Sequence, residues 1–156
     1  MQRSMALVDR QVGRGWSRHL TNTLFMEPIT NLQFMCAVTI LSGLHYIFDF
    51  KLQTHRMASE KSRSNRALTD HVLVYSAGLI IAAIILLALK GFGPGVVIGW
   101  IVVNAVMHWC TDWVTSRLSS ARWARQEWHD FFEVIGADQL IHHMTLYWTF
   151  YLAMTS

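Results

Sequence analysis

Long apolar runs alternate with short polar stretches along this chain, and the lengths of the runs carry the first inference. A helix needs about 20 mostly apolar residues to cross the hydrocarbon core of a bilayer. Four segments meet that length: about Asn31 to Leu52, Asp70 to Leu89, Gly95 to Thr115 and Val134 to Met154. Helices are expected over strands because a lone strand leaves its backbone unpaired in lipid. Lys90-Gly-Phe-Gly-Pro94 reads as a tight turn, with glycines ending one helix and a proline opening the next. The pattern therefore predicts an all-α integral membrane protein: a bundle of four transmembrane helices over residues 29–156, built as two hairpins.

Residues 1–28 stand apart. Val8, Val12, Trp16, Leu20 and Leu24 recur every fourth residue, with Arg10, Arg14 and Arg18 on another face. This predicts a basic amphipathic extension lying on a membrane surface. Gly13 and Gly15 weaken it, and a partly ordered polar extension is the alternative. The segment lacks a signal peptide's apolar core and cleavage site, so the first apolar helix is expected to act as the insertion signal.

Composition strengthens the membrane reading. Apolar residues make up 53% of the 156 residues and charged ones 15%, against roughly 25% charged in soluble domains. Seven tryptophans and four tyrosines suit repeated contact with membrane interfaces. The net charge of +3 comes from basic residues scattered between apolar runs, which argues against nucleic-acid binding. The lipid bilayer is the expected partner, with homo-oligomerisation left open. Cys36 and Cys110 both fall inside apolar stretches, so no disulfide framework is expected. Lys51, Arg56, Lys61, Arg63, Arg66, Arg117, Arg122 and Arg125 flank the two longer loops, about 51–69 and 116–133. The positive-inside rule then puts those loops in the cytoplasm of a bacterial inner membrane, with the termini outside.

Candidate chemistry resides in a repeated motif, His-x-x-x-Asp. It occurs as His45–Asp49 in the first apolar helix and His108–Asp112 in the third. The i, i+4 spacing puts both side chains on one face. The second helix enters with Asp70-His71 and reaches Tyr75 one turn on; the fourth enters with Asp138 and reaches His142. The two halves form a weak repeat that can pack about a pseudo-twofold axis, bringing the polar groups to one depth. Ionisable residues in membrane helices are costly and mark sites by default. Imidazole plus carboxylate is a first coordination shell for zinc, iron or manganese. His45, Asp49, His71, His108, Asp112 and His142 are thus candidate ligands for a transition metal, zinc foremost, as one or two ions, with Asp138 as a spare catalytic carboxylate. The competing reading makes each His/Asp pair structural, bonding across helices.

Other polar residues are read more plainly. Asn104 is expected in a packing contact, Gln53 and Ser116 at interfacial water, and His143 off the shared face. His129 is expected to be solvated beside Asp130, and His19 and His55 are expected to be ordinary polar positions.

Three motif groups extend the picture: His45-x-x-x-Asp49-Phe-x-Leu-Gln53 with Lys61-Ser-x-Ser-Asn65-x-Ala-Leu-x-x-His71; His108-x-x-x-Asp112-x-x-Thr-Ser-Arg117; and His129-x-Phe-Phe-x-Val-Ile-Gly-x-Asp138-Gln-x-Ile-His142. Over about residues 34–150 they resemble a family of small multi-pass membrane proteins of bacteria and phages, a family of unknown function. The resemblance implies the fold and the polar positions and raises His129, Ser64 and Asn65 as loop contributors; it implies no activity. Three functions compete: a metal-dependent membrane hydrolase, with Arg56, Arg63, Arg66 or Arg117 as anion contacts; a metal or proton conductor; and a non-enzymatic scaffold, regulator or phage-encoded host modifier. The apolar runs 80–89 and 96–103 offer a conductor no polar stepping stones.

Overall fold

The computed structural model describes residues 30–155, and residues 86–90 by their backbone alone; the amphipathic extension expected at 1–28, and His19 within it, lie outside the described residues. From Cys36 onward the described residues form one compact unit, and the first helix begins just before it.

Every described element is helical. α1 spans Asn31–Tyr46 and continues into a wide π-helical turn, Ile47–Lys51. A short α2, His55–Glu60, precedes three long helices: α3, Asn65–Lys90; α4, Pro94–Ala124; and α5, Trp128–Thr155. Local chemistry explains the boundaries. The Thr30 hydroxyl accepts from the Gln33 amide at 3.2 Å while Gln33 Oε1 accepts from the Thr30 amide at 3.0 Å, a reciprocal cap. Thr54 caps α2 by accepting from the Met57 amide. Gly91 ends α3 at φ 64, a region glycine enters freely. Gly93 is the N-cap of α4 with Pro94 in its first turn, the tight turn the sequence predicts.

α1 with its π turn, α3 and α4 are long and apolar enough to cross a membrane, over Asn31–Lys51, Asn65–Ile85 and Pro94–Ala124. α5 has the length, 28 residues or about 42 Å, but Asp138, Gln139, His142, His143 and its threonines and tyrosines dilute its apolar run. The loop expected at about 116–133 is mostly helix: α4 runs on to Ala124 and only three residues separate it from α5. That break turns at Gln126, φ 61, and Arg122 bridges it to Glu127 at 2.7 Å.

α1 with its π turn, α4 and α5 each bury a stripe spaced by four residues, while α3 buries a broader face. On α1 and its turn the stripe is Ala37, Leu41, His45 and Asp49; on α4 it is Trp100, Asn104, His108, Asp112 and Ser116; on α5 it is Asp138, His142, Leu146 and Phe150. The outward stripes are apolar, as with Ile98, Val102 and Val106 on α4 and Leu140, Met144 and Trp148 on α5. Buried polar groups inside and large apolar side chains outside reverse the order of a water-soluble helix and suit lipid. α4 packs against both α3 and α5, and the π turn lies against α3. There the Phe48 ring covers Gly78 so closely that a Cβ on Gly78 would sit 2.8 Å from it. α1 reaches α5 through Ser42, 2.5 Å from the Tyr147 hydroxyl. Cys36 and Cys110 are free and exposed.

Candidate metal centre

The polar ends of these stripes meet where α1 ends, α3 begins and α4 and α5 pass. Four donor atoms converge there. His71 Nε2 lies 3.0 Å from Asp49 Oδ1 and 3.1 Å from Asp112 Oδ2. His108 Nε2 lies 3.4 Å and 3.7 Å from the same two oxygens and 3.2 Å from His71 Nε2. All four side chains are buried.

This spacing can be tested against a metal. Zinc bonds to nitrogen and oxygen of about 2.0–2.1 Å imply tetrahedral donor–donor edges of about 3.3–3.4 Å. The observed 3.0–3.7 Å brackets that edge. A neutral imidazole carries only one proton, and one Nε2–H cannot serve two carboxylates and a second imidazole well. Convergence of four lone-pair atoms is what a cation would relieve. One feature departs from the usual metal-site pattern: Nδ1 of His45, His71 and His108 has no hydrogen-bond partner among the described residues, whereas ligating imidazoles generally donate through their other nitrogen.

Two further groups adjoin the first. His45, Asp49 and His142 form one; Asp112, Asp138 and His142 form the other. His142 Nδ1 is 3.5 Å from Asp138 Oδ2 and Nε2 is 3.9 Å from Asp112 Oδ1. The rings of His108 and His142 stack at 4.1 Å, and Tyr75 stacks on the other side of His108 at 3.9 Å, which holds the His108 plane. All six candidate ligands and Asp138 are therefore buried in one connected cluster. A fourth group, His129, Asp130 and Glu133, lies apart on the surface; the His129 side chain is 84% exposed.

Three participants escaped sequence reasoning. Lys61 reaches in from the residue after α2, its Nζ 3.0 Å from Asp112 Oδ2. Gln139 donates through Nε2 to Asp138 Oδ2 at 2.9 Å and Asp49 Oδ2 at 3.2 Å, and its Oε1 lies 3.2 Å from His45 Nε2. The Thr115 hydroxyl donates to Asp138 Oδ1 at 2.5 Å. Lys61, Thr115 and Gln139 all sit within the motif groups, but only as neighbours of the histidines and aspartates.

The other polar residues divide cleanly. Asn104 donates to the Trp100 carbonyl and to Thr149, each at 2.8 Å, a packing contact as expected. His143 Nδ1 lies 2.8 Å from the Gln139 carbonyl, and its ring meets the His45 ring edge-on at 4.6 Å. Ser64 caps α3 by accepting from the Ala67 amide, and Asn65 Oδ1 accepts from Arg117 at 3.0 Å. Ser116 is buried, and Gln53 and His55 line a cavity with it; Ser116 and Gln53 were expected at interfacial water.

Residues 34–156 match the model of a family described as "Protein of unknown function (DUF3307)". The chain belongs to this family. No curated protein and no solved structure matches it. Membership agrees with the resemblance drawn from the motifs and attaches no activity to the cluster.

Proposed function

We propose that this DUF3307 chain is a metal-dependent membrane hydrolase whose ion is held by His71, His108, Asp49 and Asp112, with His45 and His142 able to hold a second. The observation that carries the reading is the convergence of four buried donor atoms at 3.0–3.7 Å. When bound, the metal supplies a water of pKa about 7. Asp138 is the proton acceptor: Thr115 and Gln139 orient its two oxygens, and His142 Nδ1 stands 3.5 Å from Oδ2. Hydrolysis gives the water oxygen to the electrophile and returns the accepted proton to the leaving group.

The reading includes a topology. α1, α3, α4 and α5 form four spans of a bacterial inner membrane, and the loop ends that adjoin the site face the cytoplasm. The two His-x-x-x-Asp hairpins form a pseudo-repeat in which Asp138 takes the place of His71. Cysteine at Ser62 is expected to be labelled only from the cytoplasm and at Gly91 only from outside; the opposite result reverses the orientation.

A second reading has its own observation. Lys61 already supplies Asp112 with a cation, and mutual His–Asp bonding then makes the cluster structural glue in a non-enzymatic component. Elemental analysis of the full chain purified without chelator separates the two. The metal reading expects about one or two equivalents of transition metal, lowered by His108→Ala and by pH below about 6, where protons compete for imidazole. His143→Ala leaves the content unchanged. Stable wild-type protein that carries and takes up no metal sinks the hydrolase; loss of stability in His108→Ala without change in metal content supports the glue.

A further inference from the structure

A cavity of about 620 Å³ opens beside the cluster, with Asp49, Asp138 and Gln139 in its wall. Its size suits a small organic ligand. Of the four arginines considered as anion contacts, Arg56 is engaged with Asp70 and Glu60. Arg117 donates to the Trp113 carbonyl and Asn65 and lies over the Trp113 ring. Arg63 alone of the four lines the cavity, joined by Lys61, whose ammonium has two more protons to donate beside the one it gives Asp112. Ser116 lines it too, is 8% exposed, and has no hydrogen-bond partner for its hydroxyl among the described residues. Phe50, Trp123, Phe131 and Ile135 supply apolar wall.

A buried hydroxyl without a partner costs about 1–3 kcal/mol, which a ligand acceptor atom would recover. An ammonium, a guanidinium and a free hydroxyl around one space match a group with several acceptor oxygens spread in three dimensions. A planar carboxylate satisfies one fork and leaves the other donors unused; a phosphate reaches all three. The apolar wall accommodates the organic group that the phosphate is esterified to.

We propose that this cavity binds a phosphate-bearing substrate, its phosphate held by Lys61, Arg63 and Ser116 next to the carboxylates Asp49 and Asp138. The proposal rests on the metal reading, because those carboxylates repel an anion until a bound cation offsets their charge. The phosphate can be borne by a lipid or by a soluble molecule.

The test uses the full chain in maltoside micelles. Elemental analysis first establishes zinc saturation; calorimetric titration then compares dodecyl phosphate with inorganic phosphate. Arg63→Ala and Ser116→Ala, checked for native elution and zinc content, are each expected to weaken binding by about ten-fold or more. Preference for dodecyl phosphate assigns a lipid-borne source, and equal affinity a soluble one. No saturable binding of either probe to zinc-loaded protein overturns the proposal and leaves the metal site standing. Binding that both variants leave unchanged overturns it as well, since the anion then sits elsewhere. Protein that takes up no zinc overturns both readings, and the elemental analysis reveals this before phosphate is added.

Discussion

The same four-residue spacing builds both ends of the helix interior, yet the two ends are held by different forces. Toward the α3–α4 turn the inward positions are Leu79, Ala82, Ala83, Trp100 and Phe150. Toward the loops they are Asp49, His71, His108, Asp112 and Asp138. In lipid the apolar end gains little from burial as such, because the surroundings are equally apolar; close packing does the holding. The polar end is held by directional contacts that lipid cannot replace. The first end should tolerate volume-conserving change, and the second should not tolerate loss of a donor or acceptor.

The sharpest break is Asp49→Ala. It removes the carboxylate that His71, His108 and Gln139 all face. Dismantling one partner of a buried ionic group costs about 3–5 kcal/mol, and metal content should fall with it. Phe150→Ala at the other end should cost packing, at most the about 3–5 kcal/mol of a core Phe→Ala change in water, and leave metal content intact. Thermal unfolding in detergent paired with elemental analysis reads both; equal metal loss in the two variants would dissolve the distinction.

A smaller effect is expected where the ends are joined. Gly78→Ala drives a Cβ to 2.8 Å from the Phe48 ring, an overpacking cost of about 1–3 kcal/mol. Phe48 neighbours Asp49 on the π turn, so the shift should also lower metal content. Phe48→Leu should relieve it; a Gly78→Ala protein of wild-type melting temperature would show that the ring yields freely. Smallest is Asn104→Ala, which deletes the α4–α5 contact to Thr149. It should cost about 0.6 kcal/mol and at most about 1.7, with metal content unchanged in the same assays.

Much of this contrast was legible in the sequence because it depends on periodicity. The i, i+4 pairs His45/Asp49, His108/Asp112 and Asp138/His142 share faces by helix geometry alone, and all six candidate ligands with Asp138 fall in the buried cluster. What escaped depends on tertiary direction. Lys61 follows α2 on a long side chain whose aim no periodicity encodes. Gln139 lies one residue from Asp138, about 100° around α5, and enters the cluster only because α1 is there to meet it. The extension of α4 past Thr115 was hidden because Ser116–Ala124 reads as polar loop by composition. Arg63 looked no different from Arg56, Arg66 or Arg117 until the partners of Arg56 and Arg117 and the cavity were seen.

The His-x-x-x-Asp pairs have a consequence for biogenesis. His45 lies 3.5 Å from Asp49 and His108 lies 3.7 Å from Asp112 within single helices, and Asp138 lies 3.5 Å from His142 on α5. A helix of this kind inserted alone into a bilayer would carry its aspartate with an imidazole already one turn away. A lone aspartate costs about 2.5–3.5 kcal/mol to insert at mid-span and less toward the helix ends. A carboxyl and an imidazole exchanging one proton can enter as a neutral couple. Such helices would not need to wait for one another before partitioning. The motif that supplies the cluster's candidate ligands would thus also let them insert one helix at a time.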